Sequence, residues 1–573
     1  MAEGGDFLEA LVSWCAMRGG LRRIGKELSR AIPAYGSDFA RRVGEKHARW
    51  IPIVPVWRHT VRATDGLQTT ITPGPVHGAD QTLSLDLDLQ MTLPMPNQDE
   101  HRPDQIEAAV HQVGLEVPRR LFRVLIEKAD QELVLQQRHG KGDAGIQRRG
   151  TRPFTFKTIF GEVPVPRSRI LHKQDGSMEV PSAVAWNTSH QRMITQNLRD
   201  AVCDPMGARS AGKSRADVCA DAGDEDLVGQ STIIDIVHHE GAPLVAAPRA
   251  RARAILDDTS EAHLALLGPA AADPDAVTGL LDDDPPFDDS EEAQAEWDQT
   301  QAEWIATGFP GCEPAFPVAQ GTPRVVDEGF VIVAPDEVKT KAQPSTGRKE
   351  VWTYTAVVLV AGLRYAFAEA TAEGLWLQVS ALLVELGVLS GARRLLVLGD
   401  GAAWIRTWFE GLGISFKAMV LCWWHLRKRC YESMSSAGGP KDRRRVFEKE
   451  LLGPLWEGKV GAAIEQLRGA LEWVRNPAAV EERIAYLEKR RAYIPDYQQR
   501  QRAGLWIAST RVEKYNDWAV SARCKHQGMS WAPERVLALA ALEAARRNGE
   551  LDDWRRHRAL PERVLPEPMD KAA

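Results

Sequence analysis

At 573 residues, with 44% hydrophobic and 26% charged residues, the chain is long enough for about three or four structural units, and its composition excludes wholesale disorder. No apolar run approaches the roughly 20 residues that a membrane-spanning helix needs, and the N-terminal stretch carries acids where a secretory leader carries bases. The net charge of −6 reads against a nucleic-acid partner, but its distribution is uneven: between Arg253 and Arg324 there is no Lys or Arg, and without that acidic segment the chain is net basic.

Residues 1–103 mix a weak helix near Phe7–Gly19, a Pro-rich stretch and an alternating segment, TLSLDLDLQMTLP, that reads as a strand; they carry no functional signal. Residues 104–250 begin with helical periodicity over Asp104–Arg138, followed by a basic, Gly-punctuated turn, RHGKGDAGIQRRGTR. A small β-module comes next, its runs broken by Gly161, Pro164, Pro166 and the turn Gln174-Asp175-Gly176. SRADVCADAG, a turn at Gly223 and STIIDIVHHEG then outline a helix-turn-helix. This element either contacts DNA or is a helical hairpin that only packs. Arg209, Lys213 and Arg215 are its candidate contacts to the DNA backbone. Residues 251–326 are an acidic, Pro-rich insertion or linker.

From Gly329 the pattern tightens. GFVIVAP, VWTYTAVVLV and RYAFAEA read as strands, LWLQVSALLVELGV as a helix, RRLLVLGD as a buried strand, AAWIRTWFEGLG as a helix, FKAMVLC as a strand and WHLRKRCYESM as a helix. The order is βββαβαβα, that of an α/β ribonuclease-H-like core, here over residues 327–438. A helical insertion follows at 439–505, a final catalytic helix at 506–531 and a C-terminal tail at 532–573. Ligands of open α/β sheets collect at the carboxyl ends of strands. Asp336 is expected just past the first strand and Asp400 at the end of the fourth. Gly401 after it leaves room for a metal or phosphate at the backbone. Carboxylates held there suit Mg²⁺, which prefers oxygen ligands.

PDEVKTKAQ (Pro335–Gln343), LGDGAAWI (Leu398–Ile405), CWWHLRKRCYE (Cys422–Glu432) and STRVEKYNDWAVSARCKHQGMSW (Ser509–Trp531) resemble the catalytic blocks of bacterial DDE insertion-sequence transposases related to the Mutator-like group. The resemblance covers roughly Gly329 to Trp531, and more loosely relates Phe154–Gly241 to their DNA-binding part. It implies a third acid on a late helix, a position held by Glu513, and matches Cys422 and His425 to a Cys-x-x-His pair. It also implies two Mg²⁺ or Mn²⁺ ions on Asp336, Asp400 and Glu513, double-stranded DNA (element ends and target) as substrate, and a homo-oligomer.

Each motif has a plainer reading. Asp-Gly after an apolar strand is a common turn, and only its combination with Asp336 and Glu513 favours catalysis. Asp257 and Asp258, after the apolar run of ARAILDD, are rivals for the first acid, without the strands that should follow. Glu337 should point away from Asp336, because side chains alternate along a strand. A structural zinc wants four ligands, and Cys422 with His425 supplies two, so packing or orientation is favoured for the pair. Trp404, Trp408, Trp423 and Trp424 read as core before base-stacking platforms. Arg427, Lys428 and Arg429 form a basic helix face, and Arg523 and Lys525 end the last catalytic helix; all five are candidate phosphate contacts. Seven scattered cysteines without a CxxC pair fit a reduced, cytoplasmic setting.

Overall fold

The computed structural model describes residues 67–77, 82–91, 102–141, 145–186, 192–206, 209–268, 329–503, 505–525 and 529–566. The helix near Phe7–Gly19 and the acidic segment Asp273–Pro323 lie outside the described residues. The chain divides into two compact units, Met1–Gln68 with Leu89–Val113, and Thr69–Asp88 with Gly114–Ala573. All the candidate site residues belong to the second. Among the described residues no helix is long and apolar enough to cross a membrane.

Strands β1 (Leu67–His77) and β2 (Thr82–Met91) pair with each other; β2 is the alternating segment of the sequence. Helix α1 (Arg102–Lys141) follows, then β3 (Ile146–Thr158) and β4 (Gly161–His172), which form an antiparallel hairpin. Short strands β5 (Met178–Glu179) and β6 (Arg192–Ile194) complete a four-stranded sheet of order β5-β4-β3-β6, with a helical turn α2 (Pro181–Ala185) between them. The alternation of β3 and β4 buries Phe154, Phe156, Val163 and Val165 against Phe122 and Ile126 of α1. The basic run expected as a turn is therefore strand from Ile146 onward, with Arg148, Arg149 and Arg152 on its exposed residues.

Helices α3 (Gln196–Met206), α4 (Ala211–Asp221), α5 (Gln230–Asp257) and α6 (Glu261–Leu266) come next. The two expected helices of the helix-turn-helix exist as α4 and α5, but α5 is 28 residues long and crosses the boundary expected at 250. It is a spine of the core. Ile233, Ile236, Val237 and Leu244 are buried in the same cluster as Val536 and Leu539 of a late helix, α16 (Pro533–Arg547). A Cβ at Gly241 would collide with the Ala538 carbonyl, so the two helices cross at backbone contact. Asp257 ends α5 and Asp258 caps it, both exposed; ARAIL is helix, and neither residue follows a strand.

The larger sheet has the order β11-β10-β7-β8-β9. Its strands are β7 (Phe330–Lys341), β8 (Glu350–Val360), β9 (Leu363–Glu369), β10 (Arg394–Gly399) and β11 (Lys417–Leu421). β7, β8 and β9 form an antiparallel meander, and β10 and β11 join β7 in parallel through helices α7 (Ala372–Glu385) and α8 (Ala403–Gly411). Period-two alternation divides the sheet between two cores. Val331, Val333, Leu395 and Val397 face α7 and α8, where Trp376 stacks on Trp408 at 3.9 Å between centroids. Ile332, Ala334, Leu396 and Leu398 face the other core, with α9 (Trp423–Ala437), the insertion helices and α16.

The insertion comprises α10 (Lys441–Trp456), α11 (Val460–Ala470), α12 (Pro477–Lys489) and α13 (Tyr497–Arg502). After it come α14 (Thr510–Asn516), a π-helical turn (Asp517–Ser521) continuing into α15 (Ala522–Cys524), then α16 and α17 (Leu551–His557). The segment expected as a tail is in large part core. Val536, Leu539, Ala540 and Leu542 of α16 are buried, as are Leu551 and Trp554 of α17.

Candidate active site

The register of the parallel strands sets the site. Val397 of β10 lies opposite Val333 of β7, so three residues further on Asp400 comes level with Asp336. Gly399 lies opposite Leu421 of β11, so one residue further on Cys422 comes level with Asp400. Three adjacent parallel strands thus bring Asp336, Asp400 and Cys422 to one edge. Asp336 lies inside β7, not past its end, because the strand continues to Lys341 as the partner of β8 and Asp336 pairs with Thr355.

Asp336 and Glu337 diverge, as alternation requires. The Asp336 carboxylate accepts a 2.6 Å hydrogen bond from Asn516 Nδ2 of α14, on one face. Glu337 accepts from the Trp404 indole N–H of α8, on the other. Burial lifts the Asp336 carboxyl to about 7; Asp400 and Glu513 add to the rise, while His425 and the Glu337 backbone N–H oppose it. Burial, then the charges of Asp400 and Asp336, hold Glu337 well above the usual carboxylate range.

Asp400 leads into α8, and its Oδ1 accepts from the Ala402 N–H at 2.9 Å. Gly401 has a φ of +80°, and a Cβ there would meet Leu421 Cδ1 at 2.8 Å and Arg490 Nε at 3.0 Å. The expected room for a metal or phosphate at Gly401 is filled by these side chains; the glycine serves the backbone turn and the packing. Arg490, at the end of α12, donates to the Gly401 carbonyl at 3.1 Å, and Tyr497 donates to the Leu421 carbonyl at 2.8 Å. The insertion therefore buttresses the loop that carries Asp400.

Glu513 stands in the first turn of α14, where its Oε1 accepts from the Ser509 hydroxyl at 3.1 Å and lies 3.8 Å from His425 Nδ1. Cys422 caps the N-terminus of α9, and its buried Sγ accepts from the Ser509 N–H at 3.4 Å. Burial disfavours a charged His425 ring, but the Cys422 sulfur, then Asp400 and Glu513, outweigh it and raise the ring to about 10. Among the described residues, the trio whose ligand atoms lie within 4.8 Å of one another is Cys422, His425 and Glu513. Asp336 and Asp400 join this group through charge, not through closure into that trio.

The basic candidates separate. Arg427 is buried with its guanidinium 4.6 Å over the Trp424 ring, and Arg523 is buried with Nη2 3.9 Å from Glu543, burial lowering it to about 10. Neither presents its charge to phosphate. Arg215 donates to the Val228 and Glu225 carbonyls at 2.9 and 2.6 Å, closing the turn between α4 and α5. Arg209 pairs with Asp217. Lys213 and Lys525 are exposed, and Lys428 and Arg429 are half-buried. Trp404 and Trp423 pack on other aromatic rings, as read. Sequence reasoning missed Asn516, Ser509, Arg490 and Tyr497. Asn516 was accessible to it, since it lies three residues after Glu513 on the same helix face; the others depend on long-range packing.

The acids suit a hard divalent cation. Asp336, Asp400 and Glu513 gather with one imidazole, and a carboxyl raised by burial and by its neighbours' charge is the condition that a bound cation relieves. Residues 346–560 match the model of an uncharacterised protein family (UPF0236), a span that includes Asp400, His425 and Glu513 but not Asp336. No curated protein matches the chain.

Proposed function

We propose that the chain is a DDE-type DNA transposase with a ribonuclease-H-like catalytic core. The observation that carries this reading is the placement of Asp336 in β7 and of Asp400 directly after its parallel neighbour β10, whose register continued brings the two level, with Glu513 brought beside them by a helix that follows a helical insertion. The strand order, with β7 central, β8 and β9 antiparallel on one side and β10 and β11 parallel on the other, supports the same reading.

In this reading Asp336, Asp400 and Glu513 would hold two Mg²⁺ or Mn²⁺ ions, and that pair would supply activation of the attacking oxygen and stabilisation of the leaving oxygen in a displacement at phosphorus. The chain's own residues supply the positioning. Asn516 and the Glu337 N–H fix the Asp336 carboxylate, at 2.6 and 2.9 Å. The Ala402 N–H fixes Asp400, and Ser509 fixes Glu513. Arg490 holds the loop between β10 and α8. The reaction is hydrolysis of a phosphodiester at the element's end, followed by attack of the freed 3′-hydroxyl on double-stranded target DNA. Joining two ends calls for a homo-oligomer, acting on DNA in the cytoplasm.

The β3–β4 hairpin, with Arg148, Arg149 and Arg152 exposed, and Lys213, Lys428, Arg429 and Lys525 are the surfaces this reading assigns to the DNA backbone. The test is Mg²⁺- or Mn²⁺-dependent cleavage and strand transfer on DNA carrying the element's ends, with wild type and Asp400→Asn. Loss of both products in the variant, with DNA binding retained, supports the reading. Equal activity in the two proteins sinks it, and cleavage without joining reassigns the chain to a nuclease.

A further inference from the structure

We propose that Cys422, His425 and Glu513 form a binding site for one thiophilic divalent cation of the zinc class. Mg²⁺ and Mn²⁺ take oxygen donors, whereas a thiolate and an imidazole select zinc-like ions. One sulfur, one ring nitrogen and one carboxylate oxygen within 4.8 Å of one another make a mixed set that the oxygen-only pair of Asp336 and Asp400 does not.

Rigid elements hold the three. Cys422 caps α9 and His425 stands one turn later, so the three-residue spacing puts both on one face of the helix. Glu513 arrives from α14, about ninety positions along the chain, and the two helix starts are tied together. The Trp423 N–H donates to the Ile507 carbonyl at 3.0 Å, the Ser509 N–H to Cys422 Sγ at 3.4 Å, and the Ser509 hydroxyl to Glu513 Oε1 at 3.1 Å. A tetrahedral zinc ion, with bonds of roughly 2.0–2.3 Å, needs its ligand atoms about 3–4 Å apart, so a small rotamer adjustment closes the set.

The site also has a mouth. Cys422 is fully buried, the His425 side chain is 19% exposed and that of Glu513 is 39% exposed, so the fourth position opens beside Glu513. Three protein ligands and an open fourth position is the arrangement zinc adopts where it holds a water or an exogenous ligand. The sequence alone offered two of these ligands; folding supplies the third.

A consequence, which rests on the transposase reading, is that zinc and the Mg²⁺ site compete for Glu513. Occupancy by zinc takes the third acid away and stops strand cleavage.

The test is Co²⁺ titration of the metal-free full chain, followed by absorption spectroscopy. One Co²⁺ per chain is expected, with a thiolate-to-cobalt charge-transfer band that one equivalent of Zn²⁺ abolishes and excess Mg²⁺ leaves intact. Cys422→Ser should lose the band; Glu513→Gln should keep it while binding Co²⁺ at least about 10–100-fold more weakly, the loss that even an outer-shell partner brings. His425→Gln serves as the second variant if Cys422→Ser fails to fold, and should lose Co²⁺ binding with its circular dichroism retained. A folded wild type that binds no Co²⁺, a band that persists in Cys422→Ser, or unchanged affinity in Glu513→Gln overturns the assignment. If the transposase reading fails, its activity assay fails while this titration still succeeds.

Discussion

Asn516 joins the last helix of the site to the first acid: its Nδ2 donates to Asp336 Oδ2 at 2.6 Å while its Oδ1 accepts from the Thr355 hydroxyl of β8. One buried amide thus satisfies a carboxylate and a hydroxyl on neighbouring strands. Asn516→Ala leaves both without this partner, and a destabilisation of about 1–3 kcal/mol is expected, the usual cost of orphaned buried polar groups. Urea denaturation of the metal-free chain measures it. A change within about 0.5 kcal/mol, as for an ordinary surface substitution, would mean that the bond does not hold the site together.

Gly401 predicts a second sensitivity. Its φ of +80° disfavours any Cβ, and the space a Cβ would take is occupied by Leu421 and Arg490. Gly401→Ala is expected to lower stability by about 1–3 kcal/mol and to displace the turn that carries Asp400. Thermal unfolding reports the first effect and metal-dependent cleavage the second. A variant with unchanged melting and full activity would show that the turn relaxes freely.

The raised Asp336 carboxyl gives a pH dependence of defined sign. Its folded-state value, about 7, lies above the unfolded value near 3.8. The stability this group contributes is therefore fully present below about pH 4 and is lost as pH rises through 7 in metal-free protein. Asp336→Asn removes that dependence. The stability of the variant minus that of wild type, followed by denaturation in chelator, is expected to rise between pH 4 and pH 8. Mg²⁺ at pH 8 should narrow the gap by stabilising wild type alone. A flat difference across this range would mean that Asp336 ionises freely in the folded chain.

Much of this site was legible in the sequence, for a physical reason. Parallel strands buried on both faces read as continuous apolar runs, so VIVAP and RLLVLG announce themselves, and the acid that follows each run lies just beyond the parallel pairing of β7 with β10. The limits are equally particular. PDEVKTK looks like the exit from a strand because it is polar, yet its alternation keeps it paired with β8 to Lys341. RRGTR looks like a turn because of Gly150 and its charge, yet it continues β3 with a shift of register between Arg148 and Thr151. Arg427 and Arg523 read as phosphate contacts in the sequence because basic residues on a helix usually reach the surface. The i, i+3 spacing already puts Trp424 beside Arg427, but nothing local shows that Glu543, on α16, will lie against Arg523. The two long-range clamps, Arg490 on the Gly401 carbonyl and Tyr497 on the Leu421 carbonyl, come from an insertion whose sequence displays only helical periodicity.

Arg523 and Lys525, two residues apart, should separate cleanly by experiment. Arg523 is 2% exposed and lies 3.9 Å from Glu543, which also accepts from Arg546 and Arg547, each at 2.8 Å. Glu543 is thus the anion that balances three guanidinium groups packed around α16. Glu543→Ala leaves a buried arginine facing two others and is expected to cost about 3–5 kcal/mol, the penalty for breaking a buried ion pair from one side. Lys525, exposed just beyond α15, has no such role, and Lys525→Ala should leave stability within about 0.5 kcal/mol. If Lys525 contacts a phosphate, its removal lowers the slope of log affinity against log salt by about one. Denaturation and a salt series of DNA-binding isotherms on the two variants decide the matter. A folded, stable Glu543→Ala would show that the arginines find other partners, and an unchanged salt slope in Lys525→Ala would place the DNA path elsewhere on the chain.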